Sequence, residues 1–195
     1  MNFNNAQFSS DYLHLKNGII LTIDNYTKTG ERPCGIDRHG NPIWDDRSLT
    51  EIGSALRCYK YAKKDSNANW LAEILSEYIR NSKELCECTM LIACPSNKFS
   101  YIVELAASML GIHSCDCLEK AEPFVMKSIC LNKRADKAKS IKCYKPIDAT
   151  EKVIIIDDIV ESGATLQASK NALLLAQPSL KDIKMLAMTR TIWKG

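Results

Sequence analysis

The chain has 195 residues, of which 46% are apolar and 25% charged, a balance typical of a globular protein with a sizeable core. Its formal net charge of +3 is too small by itself to indicate a nucleic-acid-binding protein. The first residues contain no basic segment followed by an apolar core, and no apolar run approaches the roughly 18 residues of a membrane span. We therefore expect a cytoplasmic protein with no membrane partner.

Nine cysteines include two C-x-C pairs, Cys86 with Cys88 and Cys115 with Cys117. Structural zinc sites usually have a longer spacing between paired cysteines, and no histidine pair accompanies these. The odd count, in a chain too long for a small secreted scaffold, favours reduced thiols. A structural metal site is the less favoured interpretation.

Residues 1–46 are predicted to form an N-terminal extension, or hood. The segment Gly18–Asp24, "GIILTID", is strand-like and follows the turn dipeptide Asn17-Gly18. Residues 30–46 are rich in Gly, Pro, Asn and Asp, which predicts turns around at most a short hairpin. This extension contains no recognisable chemistry, and residues 47–195 are predicted to form the functional domain.

Two helices are predicted at the start of that domain. Ser48-Leu49-Thr50-Glu51 fits a capping box, and apolar residues then recur at helical spacing to about Lys63. A second helix has an apolar stripe formed by Leu71, Ile74, Leu75, Tyr78 and Ile79. Stripes of this period usually pack in a core, so we assign them no functional role.

From Thr89 onwards, strands alternate with helices. The predicted strands are Thr89–Ala93, Pro123–Ser128, Lys152–Asp157 and Ile183–Thr189, and the predicted helices end at Gly111 and at about Gln177. This alternation predicts right-handed crossovers and a mostly parallel sheet. Ligands of such sheets bind beyond the carboxyl ends of the strands, which is where Asp157 and Asp158 fall.

The segment after the strand at Lys152 carries the clearest chemistry. Loop amides at a helix N-terminus bind anions, Gly163 allows close approach of the backbone, and Ser162 and Thr165 add hydroxyl donors. Adjacent carboxylates suit a ribose diol or a divalent cation. Together these features fit a sugar phosphate. The alternative is a buried strand that ends in two solvated aspartates before an unrelated helix.

The stretch "VIIIDDIVESGAT", residues 153–165, resembles the phosphoribosyl pyrophosphate (PRPP) signature of type I phosphoribosyltransferases. The resemblance implies an α/β fold of three layers, in which helices flank a mostly parallel central sheet, with a small N-terminal hood. It also implies that Asp157 and Asp158 hold the ribose hydroxyls. The 5′-phosphate would be wrapped by Glu161, Ser162, Gly163, Ala164 and Thr165.

Glu161 departs from the family pattern, which often has Thr-Thr where this chain has Glu161-Ser162. A carboxylate 4 Å from a phosphate is repelled by roughly 1 kcal/mol in water and by more in a drier site. Purine-salvage members of the family have an acidic residue here that faces the nucleobase. Glu161 is therefore either a general acid/base or a solvated loop residue, and both alternatives stay open.

Two further segments fit the resemblance. "LIACPSNK" is similar to the family's pyrophosphate loop, which implies Ser96, Asn97 and Lys98 as ligands. Residues 132–145 contain six basic residues, for which a solvated charged segment or a nucleic-acid patch is the ordinary explanation. The resemblance instead implies a basic loop that closes over the pyrophosphate. The catalytic residues that the resemblance implies for the whole domain are Glu161, Asp158 and Arg134.

Among subfamilies, the chain is most similar to the ComF-type phosphoribosyltransferase-like proteins over about Leu49 to Arg190, without their N-terminal four-cysteine zinc module. The segments "LRCYKYAKK" and "MLAMTR" contribute to this likeness. It implies transfer of a phosphoribosyl group from Mg-PRPP to a nitrogen acceptor, nucleobase-like or an amine, with release of pyrophosphate. Mg²⁺ is the implied cofactor, near Asp157 and Asp158, with no side chain assigned as a direct ligand.

The implied partners are PRPP or a nucleoside monophosphate, an acceptor that the sequence does not identify, and a second copy of the chain in a homodimer. The alternative function is a non-catalytic protein of the same fold that senses PRPP or a nucleotide. Such a sensor acts through a protein or nucleic-acid partner in DNA uptake or regulation. Nucleic acid is the less favoured partner because the overall charge is small.

Overall fold

The computed structural model describes residues 11–15, 18–28, 31–39, 42–62, 66–95, 98–121, 133, 136 and 140–191. Its helices are α1 (Glu51–Ala62), α2 (Ser66–Asn81), α3 (Phe99–Leu110) and α4 (Ala164–Ala176). Its longer strands are β1 (Asp11–Leu15), β2 (Gly18–Asn25), β5 (Met90–Ala93), β9 (Lys152–Val160) and β10 (Asp182–Arg190). The short strands are β3 (Gly35–Ile36), β4 (Pro42–Ile43), β6 (His113–Ser114), β7 (Leu118–Lys120) and β8 (Ile141–Cys143).

A six-stranded sheet in the order β1-β2-β10-β9-β5-β6 forms the centre of the fold. Only the edge pair β1 and β2 is antiparallel, and every other neighbouring pair in this sheet is parallel. Ile155 of β9 lies between Ile92 of β5 and Met185 of β10. The predicted α/β fold with a mostly parallel central sheet is confirmed.

Strand β9 is buried on both faces, since Val153, Ile154, Ile155 and Ile156 are each at most 1% exposed. Ile154 and Ile156 pack in the layer of α1, α2 and α3, together with Leu186 of β10. Val153 and Ile155 pack on the other side, with α4 and the β7–β8 hairpin. A continuous apolar run is what a parallel strand covered on both faces requires, and the predicted three layers are present.

The start of α1 differs from the predicted capping box. Thr50 precedes the helix, and its Oγ1 accepts a hydrogen bond from the Gly53 amide at 3.1 Å. Ser48 instead ends a short 3₁₀ turn that Asp45 caps, and the Ser48 hydroxyl donates to the Glu31 carboxylate at 3.0 Å. The prediction at Ser48 was therefore wrong by two residues, because the 3₁₀ turn occupies Ser48 before α1 begins.

The N-terminal extension contributes strands to the central sheet. β2 pairs in parallel with β10, with Ile20 opposite Met185 and Asp24 opposite Thr189. β3 and β4 form a separate short hairpin, as the turn-rich composition of residues 30–46 indicated. The division of the chain at residue 46 stays a prediction.

Strand β9 is longer than predicted, since it continues past Asp157 to Val160. Its neighbour β10 also continues, to Arg190, and supplies backbone partners to this extra length. The predicted strand at 123–128 lies outside the described residues. Within the described part of the chain, no helix is long and apolar enough to cross a membrane.

Candidate functional site

The site lies at the carboxyl ends of β5 and β9, which are neighbours in the sheet. After β5 the chain enters α3, which packs on one face of the sheet, and after β9 it enters α4, which packs on the other face. When the helices that follow two neighbouring parallel strands pack on opposite faces of the sheet, a crevice forms between the strand ends. Open α/β sheets bind their ligands in such a crevice.

The two predicted aspartates lie at this crevice. Among the described residues, β5 pairs with β9 as far as Ala93, opposite Ile156, and Asp157 follows where this pairing ends. Each aspartate Oδ1 accepts the next backbone amide in the chain, at 3.0 Å for Asp157 and at 2.7 Å for Asp158. These hydrogen bonds fix both carboxylates at the end of the strand.

The two carboxylates face opposite layers, as alternate residues of a strand do. Asp158 is 7% exposed and forms an ion pair with Lys60 of α1. Asp157 lies on the side of Cys94 and Lys120: burial and the nearby Asp157 carboxylate raise the pKa of the Cys94 thiol, and the Lys120 ammonium group interacts with Asp157. The structure thus brings the predicted pair to one strand end but surrounds each carboxylate with different neighbours.

The electrostatics of Asp157 are unusual for a carboxyl group. Burial raises its pKa to about 7, the Asp158 carboxylate adds to the rise, and Lys60, the Asp158 amide and Lys120 oppose it. Desolvation disfavours the charged form, which is the physical reason for the direction. Asp157 therefore exchanges a proton near neutral pH.

Lys60 is a site residue that the sequence prediction missed. Burial alone would lower its pKa, but the Asp158 and Asp157 carboxylates outweigh burial and raise the pKa above the usual lysine value. Lys60 follows the apolar residue Tyr59 in "LRCYKYAKK". Helical periodicity alone does not distinguish this lysine from one on the surface. Only the packing of α1 against β9 brings its ammonium group to Asp158.

The predicted phosphate residues surround the N-terminus of α4. Gly163 precedes the helix with φ 74° and ψ 2°, a left-handed conformation that favours glycine. Ser162 is exposed, and its Oγ accepts a weak hydrogen bond from the Ala164 amide at 3.4 Å. Glu161, Ala164 and Thr165 are partly exposed. Three residues separate the end of β9 from the first residue of α4, so the N-terminus of α4 lies close to the strand end, where an anion would interact favourably with the helix dipole.

Replacing Gly163 with alanine is expected to lower the free energy of unfolding by roughly 1 kcal/mol, because a Cβ is strained at this positive φ. Gly163→Asn is the matched control, since asparagine tolerates the left-handed conformation better. Urea unfolding of both variants measures the difference. Equal losses for alanine and asparagine would contradict the left-handed backbone.

Lys98, one of three predicted pyrophosphate ligands, immediately precedes α3. Its Nζ donates to the Lys60 carbonyl at 2.5 Å, and the Tyr59 hydroxyl donates to the Lys98 carbonyl at 3.0 Å. Ser96 and Asn97 lie outside the described residues. Lys98 therefore connects the loop after β5 to the end of α1.

The basic segment, residues 132–145, includes β8, which pairs with β7 beside α4. Lys120, at the end of β7, has a pKa below the usual lysine value because burial outweighs the opposing Asp157 carboxylate. Sequence reasoning missed this residue too, since a lysine at the end of a three-residue strand has no distinctive pattern. Arg134 lies outside the described residues, so its assignment stays a prediction.

Among the described residues, no group of three or more His, Cys, Asp or Glu side chains could hold a metal ion. Asp158 is already paired with Lys60. Mg²⁺ in phosphate-binding sites usually takes one or two carboxylates together with substrate phosphates and waters. The two aspartates therefore fit a Mg²⁺ ion that arrives with a phosphorylated ligand, and they do not form a metal cage of their own.

Comparison with known proteins gives the following similarities. Adenine phosphoribosyltransferase from Trypanosoma brucei, solved with AMP, pyrophosphate and ribose-5-phosphate, is 12% identical with a TM-score of 0.45 over 82% of this chain and 74% of that chain. Orotate phosphoribosyltransferase from Aeropyrum pernix is 11% identical, with a TM-score of 0.46 over 82% and 74%. Purine phosphoribosyltransferase from Pyrococcus horikoshii is 19% identical, with a TM-score of 0.38 over 73% and 86%. No protein-family model matches the chain, and no curated protein does either.

Proposed function

We propose that the protein is a phosphoribosyltransferase that binds Mg-PRPP and transfers its phosphoribosyl group to a nitrogen acceptor, with release of pyrophosphate. The observation that carries the proposal is the crevice between β5 and β9. It places two carboxylates, Asp157 and Asp158, between the N-termini of two helices. Carboxylates suit a sugar diol and helix N-termini suit phosphates, so the site matches a ligand that has both.

In this proposal, different residues of the chain bind different parts of PRPP. Asp157 and Asp158 accept the ribose hydroxyls, and the backbone from Glu161 to Thr165, with the hydroxyls of Ser162 and Thr165, holds the 5′-phosphate. Lys98 and the loop before it, with Ser96 and Asn97, hold the pyrophosphate on the β5 side of the crevice, and Arg134 joins them from the basic segment. Mg²⁺ would neutralise charge on the leaving pyrophosphate.

Catalysis in this scheme is mainly positioning and electrostatic stabilisation. As the bond from ribose C1 to pyrophosphate breaks, positive charge develops on the ribose ring, and the Asp157 and Asp158 carboxylates would stabilise this charge. Glu161, which directly follows β9 and is partly exposed, is the proposed general acid/base toward the acceptor. The acceptor is nucleobase-like or an amine.

One observation favours a second function, the sensing of PRPP or a nucleotide without catalysis. Asp158 already interacts with two protein groups, the Ile159 amide and Lys60, in a largely buried position. A carboxylate held by two protein groups is suited to stable binding of a diol, which is all that a sensor requires. In the sensor, the binding of PRPP or a nucleotide would act through a protein or nucleic-acid partner, as the resemblance to ComF-type proteins implies.

Isothermal titration of PRPP with Mg²⁺, followed by a pyrophosphate-release assay with a panel of purines, pyrimidines and amines, tests both functions. We expect PRPP binding, and release with at least one acceptor. Binding without release for any acceptor would favour the sensor. If PRPP does not bind to the wild-type protein, the transferase and the PRPP sensor are both wrong.

A further inference from the structure

The last turn of α1 contacts both sides of the crevice. From this turn, the Lys60 side chain reaches β9 and pairs with Asp158. The Lys60 carbonyl accepts a hydrogen bond from Lys98 Nζ, on the β5 side, and the neighbouring Tyr59 hydroxyl donates to the Lys98 carbonyl. One turn of helix therefore connects the two halves of the proposed ligand site.

The Lys60 ammonium group pairs with one particular oxygen of the Asp158 carboxylate. Asp158 Oδ1 accepts the Ile159 amide at 2.7 Å, while Oδ2 faces Lys60. A carboxylate oxygen has two acceptor positions, so Oδ1 retains one for a ligand hydroxyl after it has accepted the Ile159 amide. With both oxygens held by the protein, the Asp158 carboxylate is fixed in plane and direction before any ligand arrives.

We propose that Lys60 is a positioning residue of the site, which orients the Asp158 carboxylate toward a sugar diol and makes no contact with the ligand itself. This inference rests on the proposed function and adds a residue to it. The Lys60 side chain is 29% exposed, and the Asp158 side chain 9%. Because the Lys60 ammonium group is largely buried and paired with Asp158, it has little freedom to move to a phosphate of the ligand.

The role of Lys60 is distinguishable from a direct phosphate contact. A lysine that binds the ligand loses affinity for every anionic ligand when it is replaced, whereas a lysine that acts through Asp158 loses affinity only for ligands with the diol. Ribose 5-phosphate carries the diol and inorganic pyrophosphate does not. Removing a group that orients a charged hydrogen-bond acceptor costs on the order of a tenfold loss of affinity.

The experiment measures both ligands by isothermal titration against the wild type, Lys60→Met, Lys60→Arg, Asp158→Asn and the double variant Lys60→Met/Asp158→Asn. We expect Lys60→Met to bind ribose 5-phosphate about tenfold more weakly and pyrophosphate within about twofold of the wild type. Lys60→Arg restores most of the affinity because it keeps the ion pair. The double variant is no weaker than Asp158→Asn, since the lysine acts through the carboxylate.

Thermal unfolding of each variant accompanies the titrations, so that affinity is compared only among folded proteins. The role of Lys60 is overturned if Lys60→Met binds ribose 5-phosphate as the wild type does. It is also overturned if pyrophosphate affinity falls equally, or if the losses of the two single variants add in the double variant. If the wild type binds neither ribose 5-phosphate nor PRPP, the proposed function fails and this role fails with it.

Discussion

Replacing Asp157 with asparagine is expected to stabilise the folded protein at pH 8 while weakening its binding of PRPP. The pKa of Asp157 is raised from 3.8 to about 7. Between these values the folded state binds more protons than the unfolded state, so stability falls as pH rises from about 4 to about 7. Asparagine removes this loss and keeps the side-chain oxygen that accepts the Asp158 amide.

The stability gain is roughly 2 kcal/mol at pH 8, because solvent screening at a partly exposed carboxyl reduces what the full pKa shift would give. PRPP affinity should fall about tenfold or more, since a charged acceptor of a ribose hydroxyl is lost. For the wild type, the same pKa predicts weaker PRPP binding as pH falls below about 7, because a protonated Asp157 is the poorer acceptor.

Urea unfolding at pH 5 and pH 8, with titration of PRPP at pH 8, measures both effects. Asp182→Asn is the matched control, because Asp182 begins β10 at the opposite end of the same sheet. This control should bind PRPP as the wild type does. An Asp157→Asn protein that is less stable than the wild type at pH 8 would show that Asp157 is not a desolvated carboxylate.

Replacing Gly53 with alanine is expected to destabilise the fold by roughly 3 kcal/mol. A Cβ at this position would lie 2.2 Å from the Tyr26 carbonyl oxygen and 3.1 Å from its carbon. In an exposed helix, alanine is favoured over glycine by about 1 kcal/mol, which would give the opposite sign. The clash outweighs the higher helix propensity of alanine here, because the contacted atoms belong to the backbone and cannot rotate away.

Gly35→Ala is the control, since the nearest atom to its Cβ would be Ile43 Cδ1 at an ordinary 3.8 Å. We expect this control to unfold within about 0.5 kcal/mol of the wild type, and Gly53→Ala to melt roughly 8 °C lower. Because the clash would displace α1, Gly53→Ala should also weaken ribose 5-phosphate binding through Lys60. A Gly53→Ala protein as stable as the wild type would refute the close approach of α1 to Tyr26.

The sheet and the site were predictable from the sequence to different extents. The long apolar run of β9 and the alternation of strands with helices were enough to predict a parallel sheet, because a strand buried on both faces has a distinctive continuous apolar sequence. The short strands β6, β7 and β8 were not predicted, since two or three residues carry no periodicity. The length of β9 beyond Asp157 depends on its partner β10, a long-range pairing that no local pattern records.

The candidate site divides in the same way. Asp157 and Asp158 were found because a motif places them next to each other, and Gly163 because a turn into a helix after a strand favours glycine. Lys60 and Lys120 were not found, because each is far from Asp157 in sequence and is brought near it only by packing. The raised pKa of Asp157 likewise depends on burial by elements distant in the chain.

The parallel pairing of β2 with β10 has a consequence for biogenesis. Ile20 lies opposite Met185, so β2 emerges from the ribosome long before its partner strand is made. Until then one edge of β2 is an unpaired strand edge that includes the apolar residues Ile19, Ile20 and Leu21, the kind of edge that pairs with other chains. Contacts so distant in sequence form slowly, so nascent chains of this protein should depend on chaperones until synthesis passes β10.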